Sequence, residues 1–339
     1  MFKNILVNAL VNLGDVVLTT SALALIKKNF PDTKITMLVK PVVKDAVIDN
    51  PVVDDVIVLD YKAKENSLKK MRELVKDIRR RNFDLAISFD RKLRPALITF
   101  FARIPRRVCP SKVFDDNKSR VTLLYTDVIE ISHDLNKTLQ AETYQEIVRK
   151  FFNIDGHETP KFPKKISPVA DKLLARLPQA KFKIALCVKG TFPLKTWSKE
   201  YFAEVVRELK KNYDAAFFIV GAPSDRDYAD EVIAEIGGVE NFCGETSLTD
   251  LAELFRRADL FITVDTGATH IAATTGIKMV TIYGCTSPDR WHPINKNAVA
   301  LTSRENCCPC TKKTCEEPKC LQNVTPAQVL DAVNKFNLI

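Results

Sequence analysis

The sequence contains no run of eighteen apolar residues, which excludes an ordinary membrane-spanning helix. Its first residues, Met1-Phe2-Lys3-Asn4-Ile5-Leu6-Val7, lack the long apolar core and small-residue cleavage site of a signal peptide. They read as a first β-strand, and a cytoplasmic chain is expected. Zinc-finger spacing is missing, and so is the interleaved aromatic and basic pattern of an RNA-binding sheet. The Gly-x4-Gly-Lys-Ser/Thr pattern of a P-loop is also absent. What remains is a chain of 339 residues, 46% apolar and 27% charged, which is the make-up of a globular protein. At about 150 residues per domain, two domains are expected.

The formal charge of +9 favours an anionic partner: nucleic acid, a membrane surface, or a phosphorylated or carboxylated substrate. Cations are densest at Arg79-Arg80-Arg81 and between Arg91 and Lys112. With no nucleic-acid signature, a basic face toward an anionic membrane or glycolipid fits better, and nucleic acid is not expected. A solvated basic surface without a partner is the plainer alternative.

The first half alternates strand and helix patterns. Strands are expected at 3–8, 34–39, 55–59, 85–89 and 107–109, and helices at 16–29 (amphipathic), 42–49, 68–81, 95–102 and 140–152. A polar, Pro- and Lys-containing stretch from Asn153 to Pro168 reads as a linker. The alternation then restarts, with strands at 182–188, 215–220, 259–264 and 279–283 and helices at 199–212, 225–236, 248–258 and 326–336. Such βαβ repetition predicts an α/β protein of two Rossmann-like, doubly wound parallel sheets. The domains are expected at 1–160 and 168–324, with 325–339 as a C-terminal helix able to return to the N-terminal domain. Ligands of such sheets bind at the carboxyl ends of strands, and both sheets are expected to face one cleft.

The most informative stretch is Val264-Asp265-Thr266-Gly267-Ala268-Thr269-His270, where an apolar strand passes through Asp-Thr-Gly into an Ala-rich helix. Unpaired N–H groups and the positive end of the helix dipole meet there, so the turn can hold a phosphate. Thr266 can cap the helix or donate to phosphate. Gly267 removes a side chain that would hold a ligand away. His270, one turn in, can point the same way. A capped βα turn without a ligand is the alternative. Lys189-Gly190-Thr191-Phe192-Pro193-Leu194-Lys195-Thr196-Trp197 follows another strand. Thr191 and Lys195 offer a hydroxyl and a mobile charge suited to a sugar-nucleotide pyrophosphate, although a loop lysine can also be plain surface. Asp15, after Gly14 past the first strand, reads by itself as a helix N-cap, and by its place at the carboxyl end of that strand as a general base for an attacking hydroxyl. Tyr283 to Trp291 is a strand end and loop that would wall the site.

These motifs in this order resemble glycosyltransferase family 9, the bacterial heptosyltransferases of the lipopolysaccharide inner core. The resemblance is carried by Gly14-Asp15-Val16-Val17-Leu18-Thr19, Lys195-x-Trp197, Gly221-Ala222-Pro223, Asp265-Thr266-Gly267 with His270, and Tyr283-Gly284-x-Thr286-x-Pro288. It runs nearly end to end and includes the Cys-rich tail. It implies a GT-B fold, with inverting, metal-independent transfer of heptose from ADP-heptose to a lipid A–Kdo acceptor and no cofactor. It further implies Asp15 as base, Thr191 and Lys195 on the donor diphosphate, and Asp265, Thr266, Gly267 and His270 on the rest of the donor. No metal is assigned to Asp54-Asp55 or Asp115-Asp116. After strand 85–89 the family tends to have Gln-Gly, whereas this chain has Asp90-Arg91-Lys92-Leu93-Arg94. Arg91, Lys92 and Arg94 are therefore candidates for acid groups of the acceptor, or else a solvated loop.

Of nine cysteines, Cys109, Cys187, Cys243 and Cys285 read as ordinary core or loop thiols. The other five, Cys307, Cys308, Cys310, Cys315 and Cys320, lack the two Cys-x2-Cys units of a structural zinc site, and a cytosolic disulfide is not expected. The competing readings are a family 9 transferase with another donor or acceptor, and a nucleotide- or glycan-binding module without turnover. The carboxylate at Asp15 argues against the latter.

Overall fold

In a computed structural model, residues 2–60, 67–113, 119–310 and 312–337 are described. The chain divides into two compact units, Met1–Pro163 and Lys164–Ile339.

The first unit is built on β1 (Asn4–Ala9), β2 (Lys34–Val39), β3 (Asp55–Val58), β4 (Leu85–Ser88), β5 (Arg106–Pro110) and β6 (Asp127–Ile129). All pairs are parallel, in the order β3-β2-β1-β4-β5-β6. Its helices are α1 (Leu13–Asn29), α2 (Ser67–Arg80), α3 (Leu93–Phe101) and α4 (Gln140–Phe152). Ile5, Leu6 and Val7 of the central strand are fully buried, as a strand covered on both faces requires. The expected amphipathic helix at 16–29 is not amphipathic: every residue of α1 from Val16 to Ile26 is buried. α4 packs along it, and its polar residues are satisfied locally. The hydroxyls of Thr19 and Ser21 donate to the carbonyls of Asp15 and Leu18. Thr20 Oγ1 bonds both its own helix and Lys161. That last contact shows why much of the presumed linker is not free. Residues 153–163 strap onto the first unit, Lys161 O also accepting from Asn50 and Glu158 N donating to Gln145. The helix expected at 42–49 is a 3₁₀ turn, Pro41–Ala46.

The second unit repeats the plan with β7 (Phe182–Cys187), β8 (Ala215–Ile219), β9 (Glu240–Asn241), β10 (Leu260–Val264), β11 (Lys278–Ile282) and β12 (Ala298–Leu301), in the order β12-β11-β10-β7-β8-β9. Its helices are α5 (Pro168–Leu174), α6 (Lys199–Asn212), α7 (Arg226–Ile236), α8 (Leu248–Arg257), α9 (Gly267–Thr275), α10 (Pro288–Trp291), α11 (Lys319–Gln322) and α12 (Pro326–Asn334). β10 is buried along its whole length. Trp197 is fully buried in the core and donates Nε1–H to Val324 O at 2.9 Å. α12 packs on α6, β11 and β12, within the second unit.

In each unit the first and fourth strands lie side by side and the chain winds outward from them in both directions. That reversal leaves a crevice at the carboxyl ends of β1 and β4, and another at β7 and β10, which is where doubly wound sheets hold ligands. The loops at these two points carry the candidate residues. Among the described residues no helix is long and apolar enough to cross a membrane.

Candidate active site

In the second unit, three loops converge on Asp265. Lys195, from the turn after β7, places Nζ 2.6 Å from Asp265 Oδ2. Thr286, from the loop after β11, donates its hydroxyl to the same oxygen at 2.7 Å. Asp265 is 5% exposed, so this is a largely desolvated ion pair braced by a third group. Glycines set the approach. A Cβ on Gly190 would fall 2.3 Å from Lys195 O, and one on Gly284 would fall 2.3 Å from Leu194 O. The loop closes further through Thr196, whose Oγ1 accepts from Gly190 N at 3.1 Å and donates to Phe192 O. The Phe192 ring centroid lies 5.5 Å from the Lys195 ammonium. Thr191 is exposed at the tip of this turn.

α9 begins at Gly267, directly after Asp265 and Thr266, so its first amides open beside the ion pair. Thr266 N–H donates to Thr269 Oγ1 at 3.4 Å, and Thr269 Oγ1 donates to Val264 O, which stiffens the turn. His270 is 4% exposed, and its Nδ1 has no partner among the described residues. Burial depresses its pKa to about 4, the Asp265 carboxylate opposing that shift and the Lys195 and His292 charges adding to it. The imidazole is therefore neutral near pH 7. A buried, unpaired ring nitrogen costs about 1–3 kcal/mol.

In the first unit, Asp15 is the third residue of α1, with Asn12 in the cap position. It therefore lies inside the first helical turn, where the dipole favours the carboxylate. Tyr144 of α4 donates its phenol to Asp15 Oδ1 at 2.9 Å. The Tyr144 ring is buried and packs 5.1 Å from that of Phe89, just past β4. The three acceptor candidates lie in the loop after β4 and the first turn of α3. Arg91 donates to Ser111 O at 2.7 Å, Lys92 pairs with Asp90 at 3.2 Å, and Arg94 lies exposed on α3.

Sequence reasoning placed Lys195, Asp265, Thr266, Gly267 and His270, and the structure gathers these five. It missed two partners. Thr286 stood in the wall motif without a role, and Tyr144 is not singled out by the sequence at all, since nothing at its position signals a carboxylate 129 residues away. Among the described residues no group of three or more His, Cys, Asp or Glu is placed to hold a metal ion, and Asp115-Asp116 lie outside those residues. All nine cysteines are free thiols, and Cys109, Cys187, Cys243 and Cys285 are buried.

Fold and site together define a two-unit α/β protein with a largely buried Lys195–Asp265 ion pair at the carboxyl ends of the strands of the second unit and a carboxylate in the first turn of α1 in the first. The family model of glycosyltransferase family 9 (heptosyltransferase) matches residues 71–321. The chain is 25% identical over 332 residues to lipooligosaccharide heptosyltransferase 2 of Campylobacter jejuni, covering 96% of each chain. Among solved structures it resembles ADP-heptose lps heptosyltransferase II of E. coli at a TM-score of 0.80 and 21% identity, covering 99% of this chain and 98% of that one. It also resembles a family 9 glycosyl transferase from Veillonella parvula at 0.84 and 22%, covering 99% and 97%. The chain belongs to glycosyltransferase family 9, the heptosyltransferases, and is a glycosyl-transferring enzyme of GT-B fold.

Proposed function

We propose that this enzyme transfers heptose from ADP-heptose to the lipid A–Kdo inner core of lipopolysaccharide, with inversion and without a metal, at the cytoplasmic face of the membrane. The observation that carries the reading is the donor crevice. The Lys195 ammonium sits on the Asp265 carboxylate, α9 begins two residues after that carboxylate, and the buried His270 with its unpaired Nδ1 lies one turn into the same helix. The ADP-heptose in the name of the E. coli neighbour supports the same donor.

In this reading Asp15 takes the proton from the acceptor hydroxyl as its oxygen attacks the anomeric carbon, a role worth about 10²–10⁴ in rate. The sugar–phosphate bond breaks on the opposite face, and the charge gained by the leaving ADP is met by Lys195 and the α9 amides. Thr191 extends the diphosphate contacts from its exposed turn. Thr286 holds Asp265, and through it Lys195, in place before the donor arrives. Arg91, Lys92 and Arg94 belong to the acceptor side, where the acid groups of a Kdo sugar suit guanidinium and ammonium donors.

Calorimetric titration with ADP, ADP-heptose, UDP-glucose and GDP-mannose, without divalent metal, tests the donor. Tighter binding of the adenine ligands is expected. A preference for UDP or GDP keeps the fold and the anion site but replaces the sugar nucleotide, and binding of none removes the transferase reading of this crevice.

A further inference from the structure

α3 is apolar on two faces. Pro95, Ala96, Ile98 and Thr99 are buried against the first unit. The opposite face carries Leu93, Phe100 and Phe101, which are 55%, 42% and 59% exposed, with Arg94 beside them. These positions fall at i, i+1, i+7 and i+8, a single helical stripe. A surface helix ordinarily turns charge toward water on that side, yet this one turns a leucine and two phenylalanines. The 3₁₀ turn Arg120–Leu124 packs on α3 and adds Leu123, 82% exposed. Arg107 ties the two together, its guanidinium lying 5.6 Å from the Phe100 ring and donating to Leu124 O.

Cations predominate around this face. From Arg91 to Arg107 the chain carries six cationic residues and no acid. Asp90 pairs with Lys92 and Asp127 with Arg106, so cations remain in excess. One of them, Arg103, ends α3 in the left-handed region at φ 59, the position where helices most often place glycine. Its N–H donates to Phe100 O, and that of Ile104 donates to Thr99 O. An exposed arginine is kept beside the two phenylalanines where glycine would be less strained.

We propose that α3 and the Arg120–Leu124 turn form the surface by which the protein docks on an anionic phospholipid bilayer. The leucines and phenylalanines enter the acyl boundary, and the surrounding arginines meet lipid phosphates. A second copy of this chain is the poorer occupant, because a two-fold contact would bring the same cations against each other. α3 also follows directly from the β4 loop at the crevice of the first unit, so docking there would set the bilayer beside the place assigned to the acceptor. The inference thus deepens the proposed function and rests on its lipid-borne acceptor for meaning, but not for its test.

The test is co-sedimentation of the full chain with vesicles of equal parts phosphatidylglycerol and phosphatidylcholine, and with phosphatidylcholine alone, at low and high salt. Neither donor nor acceptor is present, so failure here leaves the transferase reading standing, and failure of donor binding leaves this result standing. The expected outcome is binding to the anionic vesicles only, weakened by salt. Phe101→Ser with Leu123→Ser lowers partitioning about tenfold, and Arg103→Gly lowers it about fivefold. ADP affinity and melting temperature do not fall in these variants, which separates docking from misfolding. Failure of the wild type to bind anionic vesicles overturns the proposal, as does binding unchanged by both variants. A dimer in sedimentation velocity that Phe101→Ser dissolves, with no vesicle binding, overturns it in favour of self-association.

Discussion

Replacing Lys195 and Asp265 singly and together measures whether the proposed donor crevice is organised by their ion pair. The side chains are 18% and 7% exposed, and Thr286 already occupies part of the Asp265 carboxylate. Removing one member of a fully buried pair costs about 3–5 kcal/mol, because the other charge stays desolvated. The partial exposure of Lys195 and the remaining Thr286 bond reduce that to about 2–3 kcal/mol for Asp265→Ala or Lys195→Ala. For a unit of this size each kcal/mol moves the melting temperature by about 2–4 °C. The double variant leaves no buried charge unpaired, so it is expected to lose clearly less than the sum of the singles, with a coupling of about 1–2 kcal/mol. Urea unfolding of the three variants supplies the cycle. ADP then separates structure from binding, since a ligand stabilises by RT ln(1 + [L]/Kd). Wild type is expected to gain melting temperature with ADP, whereas Lys195→Ala and the double variant lose most of that gain. Singles within about 0.5 kcal/mol of wild type, or a strictly additive double, would refute the idea that the pair holds the crevice.

Asp15→Asn is expected to slow turnover by about 10²–10⁴ while leaving ADP affinity unchanged; single-turnover kinetics with calorimetry checks both, and near-normal turnover removes Asp15 as base. Tyr144→Phe deletes the phenol that favours the charged form of Asp15. The acid limb of its pH–rate profile should move to higher pH, an effect that a purely structural role for Tyr144 would not produce. His270 is held neutral with its pKa near 4, below the ordinary value of 6.5. The unfolded chain therefore binds more protons between these values, and stability falls as pH drops through that window. Integrated from pH 7 to pH 5, the loss is about 2 kcal/mol. Urea melts at both values should show it in wild type and not in His270→Gln. Gly284→Ala must push the Leu194 carbonyl away, because its Cβ would meet that oxygen at 2.3 Å. A weaker response to ADP in thermal melts is expected, and unchanged binding would mean that the Lys195 turn does not depend on this close packing.

The legible and the illegible parts of this molecule differ in the range of the interactions involved. Buried parallel strands are continuous apolar runs, so Leu260–Val264 and Asn4–Ala9 announce themselves. The Asp-Thr-Gly turn is equally local, because a strand end, a cap and a helix start are read within seven residues. Short edge strands such as Asp127–Ile129 and Glu240–Asn241 have too few residues for periodicity to register. α1 was misjudged for a related reason. Its Thr19, Thr20 and Ser21 count as polar in any pattern, yet their hydroxyls bond back to helix carbonyls and are buried at no great penalty. Partners brought together by topology are the hardest to see. Thr286 reaches Asp265 because β11 lies beside β10 in register, Val264 opposite Ile282, so the loops leaving both strands start side by side. Tyr144 reaches Asp15 because α4 packs along α1. Neither pairing follows from residue spacing, and each supports a residue that spacing did identify. The motif residues were thus legible as candidates, while the groups that hold their charge and orientation became visible only once strand order and helix packing were known.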